Sequence, residues 1–329
     1  MHALLALSAL LLVIIGAALA LRLLPRLADW EGRRQVQLLV LAAPVLSLAV
    51  ALSALSHFAG HVCFLGVPPW DYTLGLALPL GMAAVALGGL ALGVVRFGVM
   101  ARIFAGKGVP AHAELQTLAD TLAAQVGARR ARMLLCPLDR PLALASGLWR
   151  PTILLSSWTL DHLDRRELEA VLAHELAHIA RRDYLAVWLS TVLRDAFCYL
   201  PTSWVAYRQL QREKELACDD LAVRITRRPL ALASALAKVW QPTLSRSAPY
   251  LAQPFDGVGG SIEGRIERLL AGPTPSTNES VCVNARARFR SIAVAGSALA
   301  ALVALQGANA ALLLAPMGCG PASALARLV

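Results

Sequence analysis

Four long runs without a charged residue constrain this chain more than any other feature. Ala3 to Leu21 is the first, and Gln35 to Trp70 holds a second together with a short exit loop. Tyr72 to Val95 is the third, and Ser291 to Ala326 contains the fourth. Each can supply the roughly 20 apolar residues that cross a bilayer core. A chain of 329 residues that is 57% hydrophobic and only 16% charged is too apolar for an ordinary soluble domain.

Charge around the runs predicts their orientation. The first ends near Ala18-Leu19-Ala20, which imitates a signal-peptidase site, so a cleaved signal is the competing reading. The amino end, however, has no Lys or Arg, whereas Arg22, Arg26, Arg33 and Arg34 follow the run. That polarity suits an uncleaved span with its amino terminus outside. His61 to Trp70 also has no Lys or Arg and belongs outside. Arg96, Arg102 and Lys107 follow the third run, and Arg286, Arg288 and Arg290 precede the fourth, so the intervening region belongs in the cytoplasm. The expected fold class is a mainly α integral membrane protein with four transmembrane helices and a cytoplasmic α+β domain. Three spans occupy 1–103, the domain 104–287, the fourth span 288–316, and a short outer tail 317–329.

The net charge of +10 follows from arginines clustered in inward loops, which favour anionic lipid headgroups, so the bilayer and not nucleic acid is the expected partner. Six cysteines (Cys63, Cys136, Cys198, Cys218, Cys282, Cys319) contain no C-x-x-C pair and predict no disulfide framework. His57 and His61, four apart near the outer end of the second span, read as interfacial residues in preference to a second metal site.

Within the cytoplasmic segment, Phe104 to Pro110 is rich in breakers and reads as a hinge. Leu115, Leu118, Leu122 and Val126 give Ala113 to Val126 a helical period. Arg132 to Cys136 reads as a strand stopped by Pro137, and Leu142 to Ser146 and Thr152 to Leu155 as two more around the Gly147 turn. The edge of such a sheet either accepts an extended peptide as an added strand or packs beneath the membrane helices.

Next comes Asp164-Arg165-Arg166-Glu167, a D-x-x-E capping signal, and a helix with Leu168, Val171, Leu172, Ala173 and Leu176 as its buried stripe. It carries His174-Glu175-Leu176-Ala177-His178, the pattern H-E-x-x-H. Two imidazoles four residues apart share one helix face, so a single zinc ion can accept a nitrogen from each. Glu175 lies beside the metal, where it can take a proton from an activated water. Tyr184 to Val205 imitates another span, but Pro201 and the Arg194-Asp195 pair favour a buried or membrane-lying helix.

Ser203 can cap the following helix, which runs to about Arg227. On it lies Glu215-Leu216-Ala217-Cys218-Asp219. Glu215 and Asp219 are four apart, and three protein ligands leave a fourth zinc position open, as catalysis requires. Glu215 fits the third ligand, and Asp219 fits a partner that fixes a histidine tautomer. Cys218 reads as packing. Tyr207, Arg208 and Arg212 upstream are candidate oxyanion donors. Further helices are expected over Pro229 to Trp240 and Ser261 to Leu270.

Three features together resemble the membrane zinc metallopeptidases related to the BlaR/MecR antibiotic-sensing transducers. These are the run Ala170 to Asp183, the Pro201-x-x-Trp204 element and Glu215 to Asp219. The resemblance implies a gluzincin-type zinc endopeptidase of the bacterial inner (cytoplasmic) membrane. Zinc sits on His174, His178 and Glu215, with Glu175 as general base and Asp219 in support. It implies a cytoplasmic protein substrate, typically a transcriptional repressor. The extracellular penicillin-binding sensor domain of those transducers is missing after the last run, so direct β-lactam sensing is not expected. HtpX/Ste-type membrane proteases are the second family, sharing H-E-x-x-H with a more distant Glu and Asp. A proteolytically silent zinc scaffold is the competing function. The sequence gives no oligomeric state.

Overall fold

The computed structural model describes residues 2–24, 30–60, 69–106, 108–147, 150–244, 262–272, 296–297, 300–309 and 311. The chain forms two compact units. One comprises Met1–Gly93, Ser190–Tyr207 and Val283–Val329, and the other Val94–Leu189 and Arg208–Cys282.

The first unit is built from α1 (His2–Leu23), α2 (Trp30–Gly60) and most of α3 (Pro69–Gly106). Among the described residues, three stretches are long and apolar enough to cross a membrane: Leu4–Leu23, Gly32–Leu52 and Thr73–Val99. On α1, Leu5, Ala9, Val13 and Ala17 form a buried stripe at helical spacing, while Leu4, Leu11, Ile15 and Leu19 are exposed. A helix apolar all round, with small residues on its packed face, suits hydrocarbon surroundings. Of the fourth run, 296–297, 300–309 and 311 are helical, and the remainder lies outside the described residues. Gln306 Nε2 donates to Ala9 O at 2.9 Å and Asn309 Nδ2 to Ser8 Oγ at 2.9 Å, tying this segment to α1. His61, Cys63, Cys282 and Cys319 also lie outside the described residues, as does the side chain of His57.

Tyr184 to Val205 is not one continuous helix. α7 (Asp183–Ala196) stops, and α8 (Pro201–Thr226) begins at Pro201. Proline is favoured at a first helical position because its missing N–H would lack an intrahelical partner anyway. Ser203 therefore sits inside the first turn instead of capping it, and its buried hydroxyl has no hydrogen-bond partner among the described residues. Arg194 pairs with Asp195 at 2.6 Å, and its guanidinium lies over the Trp204 and Tyr207 rings at 5.0 and 4.4 Å.

The second unit holds a four-stranded sheet of order β1-β2-β4-β3: β1 (Val109–Pro110), β2 (Arg132–Cys136), β3 (Ala143–Ser146) and β4 (Thr152–Ser156). β2 and β4 are parallel, and the other two pairings are antiparallel. β1 falls within the expected hinge. It is a two-residue edge strand, a place where Pro110 costs no central ladder bond. Gly147 (φ 97°) turns β3 into β4, and a Cβ there would collide with the Arg150 carbonyl.

One face of the sheet is covered by α4 (Ala113–Val126) and α6 (Arg165–Ala180). Leu122, Met133, Ile153, Leu155, Leu172 and Leu176 fill that core. The short α5 (Ser157–His162) links β4 to α6 and was not expected from periodicity. The other side of α6 packs through Ala170 and Ala173 against Ala222 of α8, Leu232 and Ala233 of α9 (Pro229–Leu244), and Leu269 of α10 (Ile262–Leu270). The capping box at Asp164 is formed in full. Its Glu167 also accepts from Ser234 at 2.6 Å and Lys238 at 2.7 Å, fastening α9 to the start of α6.

Candidate active site

Ala170 and Ala173 of α6 and Ala222 of α8 are fully buried in the core they share with α9 and α10. Glu215 of α8 meets the two histidines of α6. His174 Nε2 and His178 Nε2 stand 3.2 Å apart, with Glu215 Oε2 3.4 Å from the first and Glu215 Oε1 3.8 Å from the second. Ligands about 2.0–2.1 Å from a tetrahedral centre lie about 3.3 Å from one another. The three side chains therefore fit one small divalent cation, with Glu215 facing both imidazole nitrogens.

Around this trio lies a ring of charge that the sequence only half revealed. His174 Nδ1 lies 3.0 Å from Asp219 Oδ1, without the alignment of a linear hydrogen bond. Asp219 is gripped by Arg265 of α10, whose Nε and Nη2 donate at 2.8 and 2.7 Å, while Arg265 Nη1 is 3.1 Å from Glu215. Lys214 Nζ is 2.9 Å from Glu215 Oε1. Burial disfavours the protonated His174 ring, but Asp219 and Glu215 outweigh it and push the pKa up to about 9. Burial also opposes charge on Glu215. Lys214, His174, His178 and Arg265 nevertheless hold it well below the ordinary carboxylate range. Asp219 is lowered in the same way by His174 and Arg265 against the cost of burial.

His178 has its own partner, Asp183, 3.0 Å from Nδ1 and also bound by Arg181 Nε at 3.0 Å. Cys218 packs beside this pair, its Sγ 3.2 Å from His178 Nδ1 and 3.4 Å from Asp183 Oδ2. Burial, and then the Asp183 charge, push the Cys218 thiol well up. Asp183, Lys214 and Arg265 were not singled out from the sequence. Asp183 stood at the end of the histidine run with no assigned role, and nothing local links Arg265 to a residue 46 positions away.

Glu175 points toward the sheet. Its Oε2 accepts from the Ala145 N–H at 2.8 Å. Ser156 N–H donates to Leu142 O across the β3–β4 pair, so alternation turns Leu144 and Ser146 toward β4 and leaves Ala143 and Ala145 facing the open edge. This edge, Glu175 and both histidines line one cavity of about 540 Å³. Phe97, Tyr184 and Trp188 contribute one apolar wall, and Leu232, Leu236 and Val239 another. Of the expected oxyanion donors, Arg208 and Arg212 are absent from the lining, and Tyr207 is buried beneath Arg194. Lys214 and Arg265 are the basic residues that stand in the cavity beside Glu215.

Residues 82–269, more than half of the chain, match the family model for the BlaR1 peptidase, M56. The chain belongs to this peptidase family, and it is a membrane protein with three helices among the described residues fit to span a bilayer. Its similar curated relatives are named protease HtpX homologs. One from Salinibacter ruber is 27% identical over 198 residues, covering 50% of this chain and 70% of the relative. One from Pyrococcus abyssi is 29% identical over 209 residues, covering 47% and 72%. One from Pyrococcus furiosus is 30% identical over 162 residues, covering 48% and 54%. The crystal structure of S. mikatae Ste24p aligns with a TM-score of 0.40 at 16% identity, over 60% of this chain and 64% of that one. The family resemblance carried by the histidine run and the Glu215–Asp219 segment is thus borne out.

Proposed function

We propose that the chain is a zinc-dependent endopeptidase that cuts an extended segment of a protein substrate at the cytoplasmic face of the bacterial inner membrane. The observation that carries this reading is the meeting of a three-ligand cluster with an open strand edge, joined by the 2.8 Å contact from Ala145 N–H to Glu175. His174, His178 and Glu215 would hold the zinc, and Asp219 would steady His174. When bound, zinc lowers the pKa of a water and polarises a scissile carbonyl. Glu175 accepts the water proton and returns it to the leaving amine. Ala143 offers its N–H and carbonyl, and Ala145 its carbonyl, to an added strand, so the peptide is aligned without most of its side chains being read. Lys214 and Arg265 supply positive charge beside the ligands, where charge develops on the substrate oxygen.

The division into three spans over 1–103, a catalytic domain over 104–287, a fourth span over 288–316 and a short outer tail belongs to the same proposal. The substrate is a cytoplasmic or membrane-proximal protein, with a transcriptional repressor as the leading candidate. The names of the relatives favour a second reading, an HtpX-type quality-control protease acting on many membrane proteins.

Glu175→Gln tests the chemistry. Cleavage should fall by at least about 10²-fold while stoichiometric zinc is retained. Undiminished cleavage in that variant sinks the assignment, and zinc binding without cleavage of any peptide by the wild type favours a silent scaffold. Comparing the proteomes of wild-type and Glu175→Gln cells separates the two substrate readings: one regulator cut, or many membrane proteins.

A further inference from the structure

Arg182 has φ 54°, one of two non-glycine residues with positive φ among the described residues. It follows the last residues of α6, a position where glycine or asparagine is usual because a Cβ costs about 1–2 kcal/mol in the left-handed region. The turn stops α6 and starts α7 at Asp183, which brings this carboxylate back against the last turn of α6. There Asp183 is only 3% exposed, and Oδ2 accepts from both His178 Nδ1 and Arg181 Nε at 3.0 Å, with Cys218 Sγ as a weaker donor at 3.4 Å. Three donors on one buried oxygen make an environment built for a carboxylate.

We propose that Asp183 is a positioning residue for the metal centre. It holds His178 as the tautomer protonated on Nδ1, with the Nε2 lone pair aimed at His174 and Glu215, and the left-handed turn at Arg182 delivers it there. This inference rests on the reading of His174, His178 and Glu215 as the metal ligands. The two histidines are held unequally. His178 has an aligned hydrogen bond to a carboxylate fixed by its own turn. His174 has an unaligned contact to a carboxylate whose two oxygens are already taken by the distant Arg265. The asymmetry makes His178 the better-oriented ligand. A competing arrangement would place a metal on the opposite side of the ring, among His178 Nδ1, Asp183 and Cys218, whose ligand atoms also lie within 4.8 Å of one another. Arg181 on Asp183 opposes it, because a guanidinium already occupies the oxygen a cation would need.

The test uses the full chain in detergent, with zinc affinity read by chelator competition and geometry by the absorption spectrum of the Co²⁺-substituted protein. Asp183→Asn keeps the side-chain volume and should weaken zinc binding about 10–100-fold and shift the Co²⁺ spectrum. Cys218→Ala should keep full zinc stoichiometry. Wild-type affinity and spectrum in Asp183→Asn overturn the proposal, and so does loss of metal in Cys218→Ala, which would move the ion to the Nδ1 side. A wild-type protein that binds no divalent metal would overturn the ligand reading itself. ¹⁵N spectra of the zinc-loaded wild type need no variant: a His178 ring metallated on Nδ1 overturns the proposal, and one protonated on Nδ1 supports it.

Discussion

At the residue scale the proposed metal site is a balance of opposite charges. Glu215 faces Lys214 and Arg265, and His174 is pushed up to about 9 by Asp219 and Glu215 against its burial. A raised histidine pKa means that the metal-free protein binds a proton there near neutrality. Metal binding requires the neutral ring, so zinc should release about one proton per site near pH 7.5. Calorimetry in buffers of different ionisation heat measures that number, and a value near zero would contradict the charge balance. The sign for stability follows from the same shift. In the metal-free protein the His174 contribution is fully present below pH 6.5 and is lost as pH rises through about 9.

Among the elements, α6 does most to build the site, and its beginning was legible. Asp164 and Glu167 sit at capping-box spacing, and both reciprocal bonds form. What sequence could not give was the second use of Glu167 as an anchor for Ser234 and Lys238 of α9. Glu167→Ala should therefore cost more than a cap, about 1–3 kcal/mol, read as a lower thermal midpoint in detergent. An effect below about 0.5 kcal/mol would show that the α9 contacts contribute little. The edge strand β3 offers a second test. Ala145→Pro removes an N–H that faces the open edge and leaves the β3–β4 ladder intact. Its expected result is an unchanged fold by circular dichroism with kcat/KM about 10-fold lower. Unchanged kinetics would show that neither Glu175 nor a substrate strand depends on that donor.

The strands β2 and β4 and the helix α4 match their apolar patterns because each buries a regular face in one core. β1 escaped notice because two residues beside a proline carry no periodicity, and its strand character comes wholly from pairing with β2. The start of α8 shifted from Ser203 to Pro201 for a local reason, the proline's tolerance at a first helical position, which outweighed the serine's capping tendency.

On the scale of the whole molecule, the proposed orientation is testable with reporter fusions. A phosphatase fused after residue 65 should be active outside the membrane, and a fluorescent protein fused after residue 107 should be bright inside. The reverse pattern would invert the topology argued from arginine placement. The membrane helices and the H-E-x-x-H helix were determined by the sequence alone, because length, apolarity and four-residue spacing are properties of neighbours along the chain. The partners of the histidines were decided only by tertiary structure. Arg265 reaches Asp219 across 46 residues, Ala145 reaches Glu175 across 30, and Asp183 meets His178 through a left-handed turn that no propensity at Arg182 would predict. Such contacts depend on how helices and strands pack in space, which spacing along the chain does not encode.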